Sequence, residues 1–438
     1  METLKKIGRK WTDLSLIVRI IIGLVAGLVM ALIWPTGPCM DVLPLFGSIF
    51  VAALKAVAPV LVLFIVMSAL ANAKTGGGMK TVILLYVCAT LVAGIVAVCA
   101  SFAFPSTMTF VDASDVEQTP ASGIGEVLTT LIMKMFSNPV TALTDANYLG
   151  ILVWAIILGI AFRKAPQNFK DALDTVAQAV NQVVRWVIQL APFGIWGLVY
   201  EAVASNGVEI FVEYGHLIAV LVCCMLVIAF VTNPLIAFLT FRKNPYPLVL
   251  RCLKDSGIMA FFTRSSAANI PVNMELCESL GLNRDSYGVS IPLGATINMA
   301  GAAVTISVMT MAAANTLGIT VEPVTAIILC VLAAVSACGA SGVAGGSLLL
   351  IPMCCSLFGI PDAISMQVVA VGFIIGVIQD SCETALNSSS DVVFTASAQY
   401  REMRKAGIEF HPGKDAVAVT LPGHNMNEAE ETDAVEAE

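Results

Sequence analysis

Charged residues are scarce in this chain of 438 residues: they make up 12%, against about 25% in an ordinary soluble domain, while 58% are hydrophobic and the mean hydropathy is +0.87.

There are only three histidines, and none of the twelve cysteines forms a C-x-x-C pair, which argues against a structural zinc site. Most cysteines lie in apolar segments, where we expect buried thiols rather than disulfides. No G-K-S/T sequence follows a glycine-rich stretch, which excludes a P-loop.

Long apolar runs occupy much of the sequence, and several exceed the roughly 20 residues that cross a bilayer as a helix. They cover residues 14–34, 43–70, 81–104, 148–162, 217–241, 302–317 and 366–378. The first run is too long for a signal peptide and lacks a small-residue cleavage pattern, so we expect it to remain as a transmembrane helix. This pattern predicts an all-α polytopic membrane protein.

Basic residues indicate how the chain is oriented. They cluster in four connections, at 74–80, 163–170, 242–254 and 401–405. The connections without Lys or Arg are 35–41, 112–117 and 201–213. By the positive-inside rule the basic set is cytoplasmic, which predicts a multi-pass protein of the cytoplasmic (inner) membrane with both termini in the cytoplasm.

The two ends lie outside the predicted membrane region of residues 15–400. Residues 1–14 would form a cytoplasmic N-terminus. Residues 401–438 would form an acidic, disordered cytoplasmic tail, since six acids follow Gly423 and supply most of the net charge of −8.

One apolar stretch near the carboxyl end carries an unusually polar helix face. Five polar side chains fall within an arc of about 100° there: Asp380, Glu383, Thr384, Asn387 and Asp391. Carboxylates at membrane depth are costly, so this face must line a wet cavity, pair internally or bind a cation. We interpret it as half of a site for a cation and an amphiphile.

Two further stretches interrupt the hydrophobic pattern, at 261–271 and 336–347. Each lies between apolar segments too short to span a bilayer, which is typical of a re-entrant helical hairpin with exposed amides and carbonyls at its tip. The charge distribution makes the first insert from the cytoplasm and the second from outside, as in an inverted repeat. Close helix packing by small residues is the alternative for the second.

Residues 290–302, between the hairpins, contain Gly294, Asn298 and Gly301. We expect the glycines to unwind a helix, so that freed carbonyls and the Asn298 amide oxygen become hard ligands suited to Na⁺. The alternative is a kinked helix with a buried, bonded asparagine.

Three segments together resemble the glutamate transporter homologues, the dicarboxylate/amino acid:cation symporters. They are Arg264-Ser-Ser266 followed by Ile270-Pro-Val272, Pro292-Leu-Gly-Ala-Thr-Ile-Asn-Met299, and Asn387 four residues before Asp391. The resemblance runs from the first helix to about Gln399, and the strings 260–274 and 339–347 are most similar to the bacterial serine/threonine:sodium symporters.

The resemblance implies a fold of eight transmembrane helices and two re-entrant hairpins, with inverted repeats and elevator-type movement. Scaffold helices at about 15–73 and 120–204 would form a homotrimer in the lipid. The moving transport domain would comprise about 80–105 and 214–400.

The resemblance also implies which residues bind the cations and the substrate. The first Na⁺ would lie among Gly294, Asn298, Asn387 and Asp391, and the second among Thr296, Ala337, Cys338 and Ala340. The substrate carboxylate would meet Ser265, Ser266, Asn387 and hairpin amides near Ala340, Gly342 and Val343. Its ammonium would meet Asp380 and Thr384.

Two departures from the family refine this assignment. Glu383 replaces an arginine that clamps acidic side chains, which favours a small neutral substrate. Ala300 replaces an aspartate of a third sodium site, which predicts fewer coupled ions, with one as the expected number. Arg264 is a candidate to neutralise Glu383 or Asp380 when no cation is bound.

We therefore expect Na⁺-coupled import of small neutral hydroxyl amino acids such as L-serine and L-threonine, without enzymatic activity, another cofactor or a nucleic acid partner. A neutral amino acid exchanger of the same fold is the first alternative. An ion channel is another, and Gly339-Ala-Ser341-Gly342 also matches the G-x-S-G of intramembrane serine proteases.

Overall fold

The fold was analysed in a computed structural model that describes residues 14, 16–36, 38–72, 79–110, 132–133, 135–145, 147–207, 210–340 and 345–416. These residues form helices and connections, with no strand among them. The α-helices are α1 Leu16–Ile33, α2 Pro38–Asn72, α3 Met79–Ala103, α4 Pro139–Thr144, α5 Tyr148–Phe162, α6 Gln167–Ile188, α7 Ala191–Asn206, α8 Ile210–Val227, α9 Asn233–Phe241, α10 Tyr246–Cys252, α11 Ile258–Thr263, α12 Ile270–Ser279, α13 Arg284–Ile297, α14 Ala300–Thr316, α15 Pro323–Ala337, α16 Ile351–Cys355 and α17 Asp362–Lys405.

Short non-α turns join several of these helices. A π-helical turn, Ile228–Thr232, connects α8 to α9, and another, Leu253–Gly257, connects α10 to α11. The 3₁₀ turns Leu348–Leu350 and Ser356–Phe358 flank α16.

The surface of this helical body is apolar. Within the described ranges, 5 helical segments are long and apolar enough to cross a membrane, or up to 6 if α6 and α7, which meet at a bend of 50°, count as one span. Leu84 and Ile327 are 60% and 65% exposed, whereas Asp391 is 1% exposed. A protein in lipid exposes apolar side chains and buries polar ones, as this protein does. The structure therefore confirms the predicted all-α polytopic membrane protein.

One group of helices packs around α2. Helix α1 lies against α7, and α2 lies against α5, α6 and α7. Gly23 and Gly27, four residues apart on α1, make this contact close, since a Cβ at Gly23 would lie 2.1 Å from the Pro192 carbonyl oxygen. Small residues at this spacing let two membrane helices approach along their backbones.

A second group surrounds α17, which runs unbroken for 44 residues, about 66 Å at 1.5 Å per residue. Helices α13 and α14 and both interrupted stretches pack on it, while α3 packs on α14 and α15. The groups meet at contacts such as that of the Phe50 and Phe373 rings, whose centroids are 5.1 Å apart.

Both interrupted stretches fold back on themselves. In the first, α10 and α11 lead to a turn at Arg264, which has a left-handed φ of 51°, and α12 returns, so that Ser256 Oγ lies 2.5 Å from Asn273 Oδ1. In the second, α15 ends at Ala337 and α16 returns, with Ser336 Oγ 3.8 Å from Met353 Sδ. We call these segments the first and second hairpins.

The helix between the hairpins is broken at Asn298 and Met299. Helix α13 ends at Ile297, α14 begins at Ala300, and Met299 has φ −116° and ψ 51°. The break thus falls between the two glycines expected to cause it, and both glycines are helical.

The expected disorder from residue 401 onward is wrong for residues 401–416. Helix α17 continues to Lys405, and the following residues fold back onto the first hairpin. Phe410 is 5% exposed and stacks on Tyr400 with centroids 5.0 Å apart, while Lys243 Nζ donates to the Phe410 carbonyl oxygen at 2.8 Å. Arg251 lies 2.6 Å from Asp415 Oδ1. We call residues 406–416 the C-terminal strap; residues 417–438 lie outside the described ranges.

The strap is expected to stabilise the fold mainly through its buried ring. Phe410→Ala should lower the free energy of unfolding by about 3 kcal/mol, because it removes a buried aromatic side chain and leaves a cavity. Thermal unfolding of the purified protein in detergent measures the change. Phe102→Ala is the control, since Phe102 is 49% exposed on α3. Equal effects of the two variants would contradict the packing role of the strap.

Candidate functional site

The polar face predicted on α17 lies inside the protein. Its five residues share one helix and are all nearly buried, with exposed fractions of 2% for Asp380, 5% for Glu383, 6% for Thr384, 3% for Asn387 and 1% for Asp391. Because the helix is continuous, its periodicity alone brings these groups to one side.

Asn298, at the break, meets Asp391. Asn298 Nδ2 donates to Asp391 Oδ1 at 2.9 Å and to Ser390 Oγ at 2.7 Å. Asn298 Oδ1 and Asp391 Oδ2 have no hydrogen-bond partner in the described part of the chain, although both atoms are buried. A buried carboxylate oxygen and an amide oxygen left in this way suit a hard cation.

Close approach explains the glycines near this pair. A Cβ at Gly294 would lie 2.5 Å from Asp391 Oδ1 and 2.9 Å from Tyr86 Oη, and one at Gly301 would lie 2.9 Å from the Glu383 Cα. The Gly294 carbonyl accepts from the Asn298 amide at 2.9 Å, which leaves it one lone pair for another partner. Their predicted role in unwinding the helix is therefore replaced by a packing role.

Asn387 is tied to the same break. Its Oδ1 accepts from the Gly301 amide at 2.7 Å, and its carbonyl oxygen lies 3.3 Å from Asn298 Nδ2. Three of the four residues expected around the first cation thus contact Asn298 directly, and the fourth, Asn298 itself, links them.

Tyr86 was not foreseen from the sequence. Its Oη lies 3.2 Å from the Ser290 carbonyl oxygen, 3.3 Å from that of Asp391 and 3.1 Å from Thr395 Oγ1, and the residue is fully buried. It connects α3 to α13 and α17 behind the pair of Asn298 and Asp391. A lone tyrosine in an apolar run gives no sequence signal for this contact.

The residues expected around a second cation lie at the junction of α13 and the second hairpin. Cys338 Sγ lies 3.5 Å from the Ile297 carbonyl oxygen, next to Thr296, whose Oγ1 donates to the Leu293 carbonyl at 2.8 Å. Ala340, nearly buried, donates its amide to the Ala337 carbonyl at 2.9 Å. The end of α15 thus lies close to Ile297, the residue after Thr296.

Asp380 links the two hairpins. Its Oδ2 lies 2.7 Å from Arg264 Nε at the first tip, and its Oδ1 accepts from the Gly345 amide of the second hairpin at 3.2 Å. The predicted pairing of Arg264 with a carboxylate is confirmed for Asp380. Both carboxylate oxygens expected to meet the substrate ammonium therefore contact protein groups. Arg264 Nη1 is buried without a partner in the described residues.

The remaining substrate candidates are spread around this point. Ser266 is buried and Ser265 is half-buried at the first tip, where Ser265 Oγ accepts from the Ala268 amide at 3.2 Å. Thr384 Oγ1 donates to the Asp380 carbonyl at 2.7 Å. Gly342 and Val343 lie outside the described residues.

Three donors converge on one oxygen of Glu383. Its Oε2 accepts from Thr305 Oγ1 at 2.7 Å, Ser347 Oγ at 2.9 Å and Gln379 Nε2 at 2.5 Å. Sequence reasoning did not identify Thr305 or Gln379 as site residues. Gln379 could have been identified from the sequence, because it is a polar residue four positions before Glu383 in an apolar stretch, and residues at this spacing lie side by side on a helix.

A second unforeseen network joins the first hairpin to α17. Asn269 Nδ2 donates to Ser388 Oγ at 2.8 Å, and Asn273 Nδ2 donates to the Ser388 carbonyl at 3.0 Å. Ser256 joins both asparagines, at 2.9 Å from Asn269 Nδ2. All four residues are completely buried, so both arms of the first hairpin are hydrogen-bonded to one point on α17.

Sequence comparisons agree with this architecture. Residues 16–400 match the sodium:dicarboxylate symporter family. The chain is 56% identical over 398 residues to a protein of Streptococcus agalactiae serotype III (strain NEM316) named Serine/threonine transporter SstT, covering 90% of this chain and 98% of that relative. It is 55% identical over 405 residues to a protein of the same name from Streptococcus thermophilus (strain ATCC BAA-491 / LMD-9), covering 92% of this chain and 100% of that relative. With its whole membrane region matched, the chain belongs to the sodium:dicarboxylate symporter family.

Proposed function

We propose that this protein is a secondary active transporter that imports L-serine and L-threonine together with Na⁺. The observation that carries the proposal is the similarity to relatives named Serine/threonine transporter, 56% and 55% identical over nearly their whole length. The buried oxygens of Asn298 and Asp391 that have no hydrogen-bond partner among the described residues support it, because such oxygens suit a hard cation.

The first Na⁺ would be held by Asp391, by Asn298 and by the carbonyl oxygens of Gly294 and Asn387. The second would lie among Thr296 and the carbonyls of Ala337, Cys338 and Ala340. Ala300 supplies no charge for a third ion. One Na⁺ suffices for uptake, because about 100 mV contributes about 2.3 kcal/mol and a roughly tenfold gradient about 1.4 kcal/mol, a limiting accumulation of several hundred-fold.

The amino acid would bind between the two hairpin tips and α17. Ser265, Ser266, Asn387 and the amides near Ala340, Gly342 and Val343 would hold its carboxylate. Asp380 and Thr384 would take its ammonium, with the substrate replacing the Gly345 amide or Arg264 at Asp380. Glu383 would disfavour an acidic side chain by its charge.

Movement would follow the elevator scheme, with eight transmembrane helices and two hairpins inserted from opposite sides of the cytoplasmic membrane. The packing of α1, α2, α5, α6 and α7 together supports a separate scaffold, which would form the homotrimer. The assembly of α3, α13, α14, α17 and both hairpins supports a separate transport domain. Both termini would be cytoplasmic.

The rival functions receive less support. A serine protease would need a histidine beside its nucleophilic serine. His216 Nδ1 lies 3.1 Å from Ser106 Oγ, and Ser341 lies outside the described residues. The family and the relatives are transporters by name. A neutral amino acid exchanger of the same fold remains the closest alternative.

Uptake by proteoliposomes tests the proposal directly. Radiolabelled serine should accumulate when a Na⁺ gradient is imposed and should not accumulate when a proton gradient replaces it. Reversal potentials then give the number of ions per serine. Accumulation driven by protons alone, or passive flux that does not saturate, would contradict the proposal.

Asp391→Asn should raise the Na⁺ concentration needed for half-maximal uptake by about tenfold to a hundredfold, because a charged ligand is lost from a buried site. Serine uptake measured against Na⁺ concentration checks this. Asp171→Asn, at an exposed position of α6, is the control and should leave the curve in place. An unchanged Na⁺ requirement in Asp391→Asn would remove Asp391 from the cation site.

Gly294→Ala should also weaken Na⁺ binding, because its Cβ would lie 2.5 Å from Asp391 Oδ1 and push the carboxylate away. Gly288→Ala is the matched control on the same helix, since a Cβ there meets nothing within 4 Å. The same uptake curve distinguishes them. Wild-type Na⁺ affinity in Gly294→Ala would show that Asp391 is free to shift without loss of the ion.

Glu383→Arg should reduce serine uptake by more than about tenfold and admit aspartate, because the pocket gains a positive charge and loses the acceptor for three donors. Uptake of both amino acids by the same vesicles measures the change. Glu278→Arg makes the same charge change at an exposed position of α12 and should have no effect. Intact serine transport in Glu383→Arg would mean that Glu383 does not face the pocket.

A further inference from the structure

The residues proposed to hold the substrate carboxylate come from two separate parts of the chain. Ser265 and Ser266 lie at the tip of the first hairpin, and Asn387 lies on α17. One carboxylate can bind both sets only if the distance between the hairpin tip and the helix is closely fixed. Whatever fixes that distance therefore influences how tightly the amino acid binds.

Asn269, the residue before α12, bonds the hairpin tip with its backbone and α17 with its side chain. Its amide nitrogen lies 3.2 Å from the carbonyl oxygens of both Ser265 and Ser266. Its Nδ2 donates to Ser388 Oγ at 2.8 Å, and Ser388 directly follows Asn387 in the chain. One residue thus connects the tip serines to the part of α17 that carries Asn387.

The side chain of Asn269 is held in this orientation by two residues of the same hairpin. Its Nδ2 also donates to Ser256 Oγ at 2.9 Å, so that both of its side-chain hydrogens have acceptors. Ser256 Oγ donates in turn to Asn273 Oδ1 at 2.5 Å, and Asn273 Nδ2 donates to the Ser388 carbonyl at 3.0 Å. All four residues are completely buried. A hydrogen-bonded amide in such an interior has few alternative positions.

An irregular turn brings Ser256 into this network. The π-helical turn Leu253–Gly257 interrupts the first arm of the hairpin, and turns of this kind are rare and frequently occur at functional sites. The turn packs closely on α17, since a Cβ at Gly257 would lie 3.5 Å from the Ala385 carbonyl oxygen. The first arm is thus shaped to place Ser256 where the hairpin meets α17.

We propose that Asn269 is a positioning residue for the substrate carboxylate: its hydrogen bond to Ser388 sets the separation between the tip serines and Asn387. The inference rests on the proposed transport function and adds a residue that acts through the proposed carboxylate ligands. Serine and threonine carry the same carboxylate and differ only in the side chain. The bond therefore affects the binding of both amino acids equally and has no part in choosing between them.

Ser388→Ala tests the proposal. The substitution removes the acceptor that links Asn269 to α17, while Asn273 keeps its bond to the backbone carbonyl of residue 388, so we expect the hairpin to remain attached. At saturating Na⁺ we expect the KM for serine and the KM for threonine each to rise about tenfold, with Vmax within about twofold of wild type, as the loss of one buried hydrogen bond predicts. Uptake of the two radiolabelled amino acids by proteoliposomes measures both parameters.

Ser397→Ala is the matched control. Ser397 is also completely buried on α17, but its Oγ donates to the Val393 carbonyl of the same helix at 2.6 Å, so both KM values should stay unchanged. Asn269→Ala should reproduce the effect of Ser388→Ala. The double variant should show little further rise in KM, because both substitutions remove the same bond.

Unchanged KM values in Ser388→Ala would overturn the proposal, as would unequal changes for serine and threonine or fully additive effects in the double variant. A fall in Vmax or in thermal stability without a change in KM would also overturn it, because the bond would then serve the fold alone. If Asn269→Ala does not fold, Ser388→Ala decides, and failure of both variants to fold would contradict the proposal. Absence of Na⁺-dependent serine uptake by the wild type would instead overturn the proposed function itself.

Discussion

The contact of Asn298 with Asp391 is the interaction on which the arrangement of the site depends. A carboxylate in the apolar interior of a membrane protein is tolerated only when it is paired or bound. Asn298 reaches it at the point where the helix is interrupted, and past the interruption the Gly301 amide donates to Asn387 Oδ1. The broken helix and the polar face of α17 therefore stabilise each other: Asn298 at the break donates to Asp391, and Asn387 accepts from the amide of Gly301.

Helix α17 is the element on which α13, α14 and both hairpins pack around this contact. The first hairpin is bonded to it through Ser388 and, at Arg264, through Asp380, and the second is bonded to it through Asp380 and Glu383. These attachments differ in kind. The first uses both arms of its hairpin and four completely buried residues, whereas the second, in the part of the chain that the structure describes, uses Gly345 and Ser347 of its returning end. Among the described residues, the first hairpin is therefore the more extensively hydrogen-bonded to α17.

Much of this arrangement could be predicted from the sequence, for physical reasons that differ between residues. The face of α17 was predictable because a continuous helix converts spacing directly into direction. The hairpins were predictable because polar stretches between apolar segments too short to span a bilayer have few alternatives at membrane depth. The location of the helix break was not, since glycines also serve close packing, as Gly294 does against Asp391. Tyr86 and Thr305 escaped notice because each lies within a long apolar run, and only its distant partners give it a role.

The C-terminal strap escaped prediction for a related reason: composition placed it with the acidic residues that follow it. Its consequence concerns the order in which the protein is assembled. Arg251 of the first hairpin bonds the Gly413 carbonyl, 162 residues later in the chain. Ser279, at the foot of the other arm, accepts the amide of Ala416. The base of the first hairpin thus lacks these partners until residues 413–416 have been synthesised, so this corner of the protein is completed later than the membrane helices that precede it in the chain.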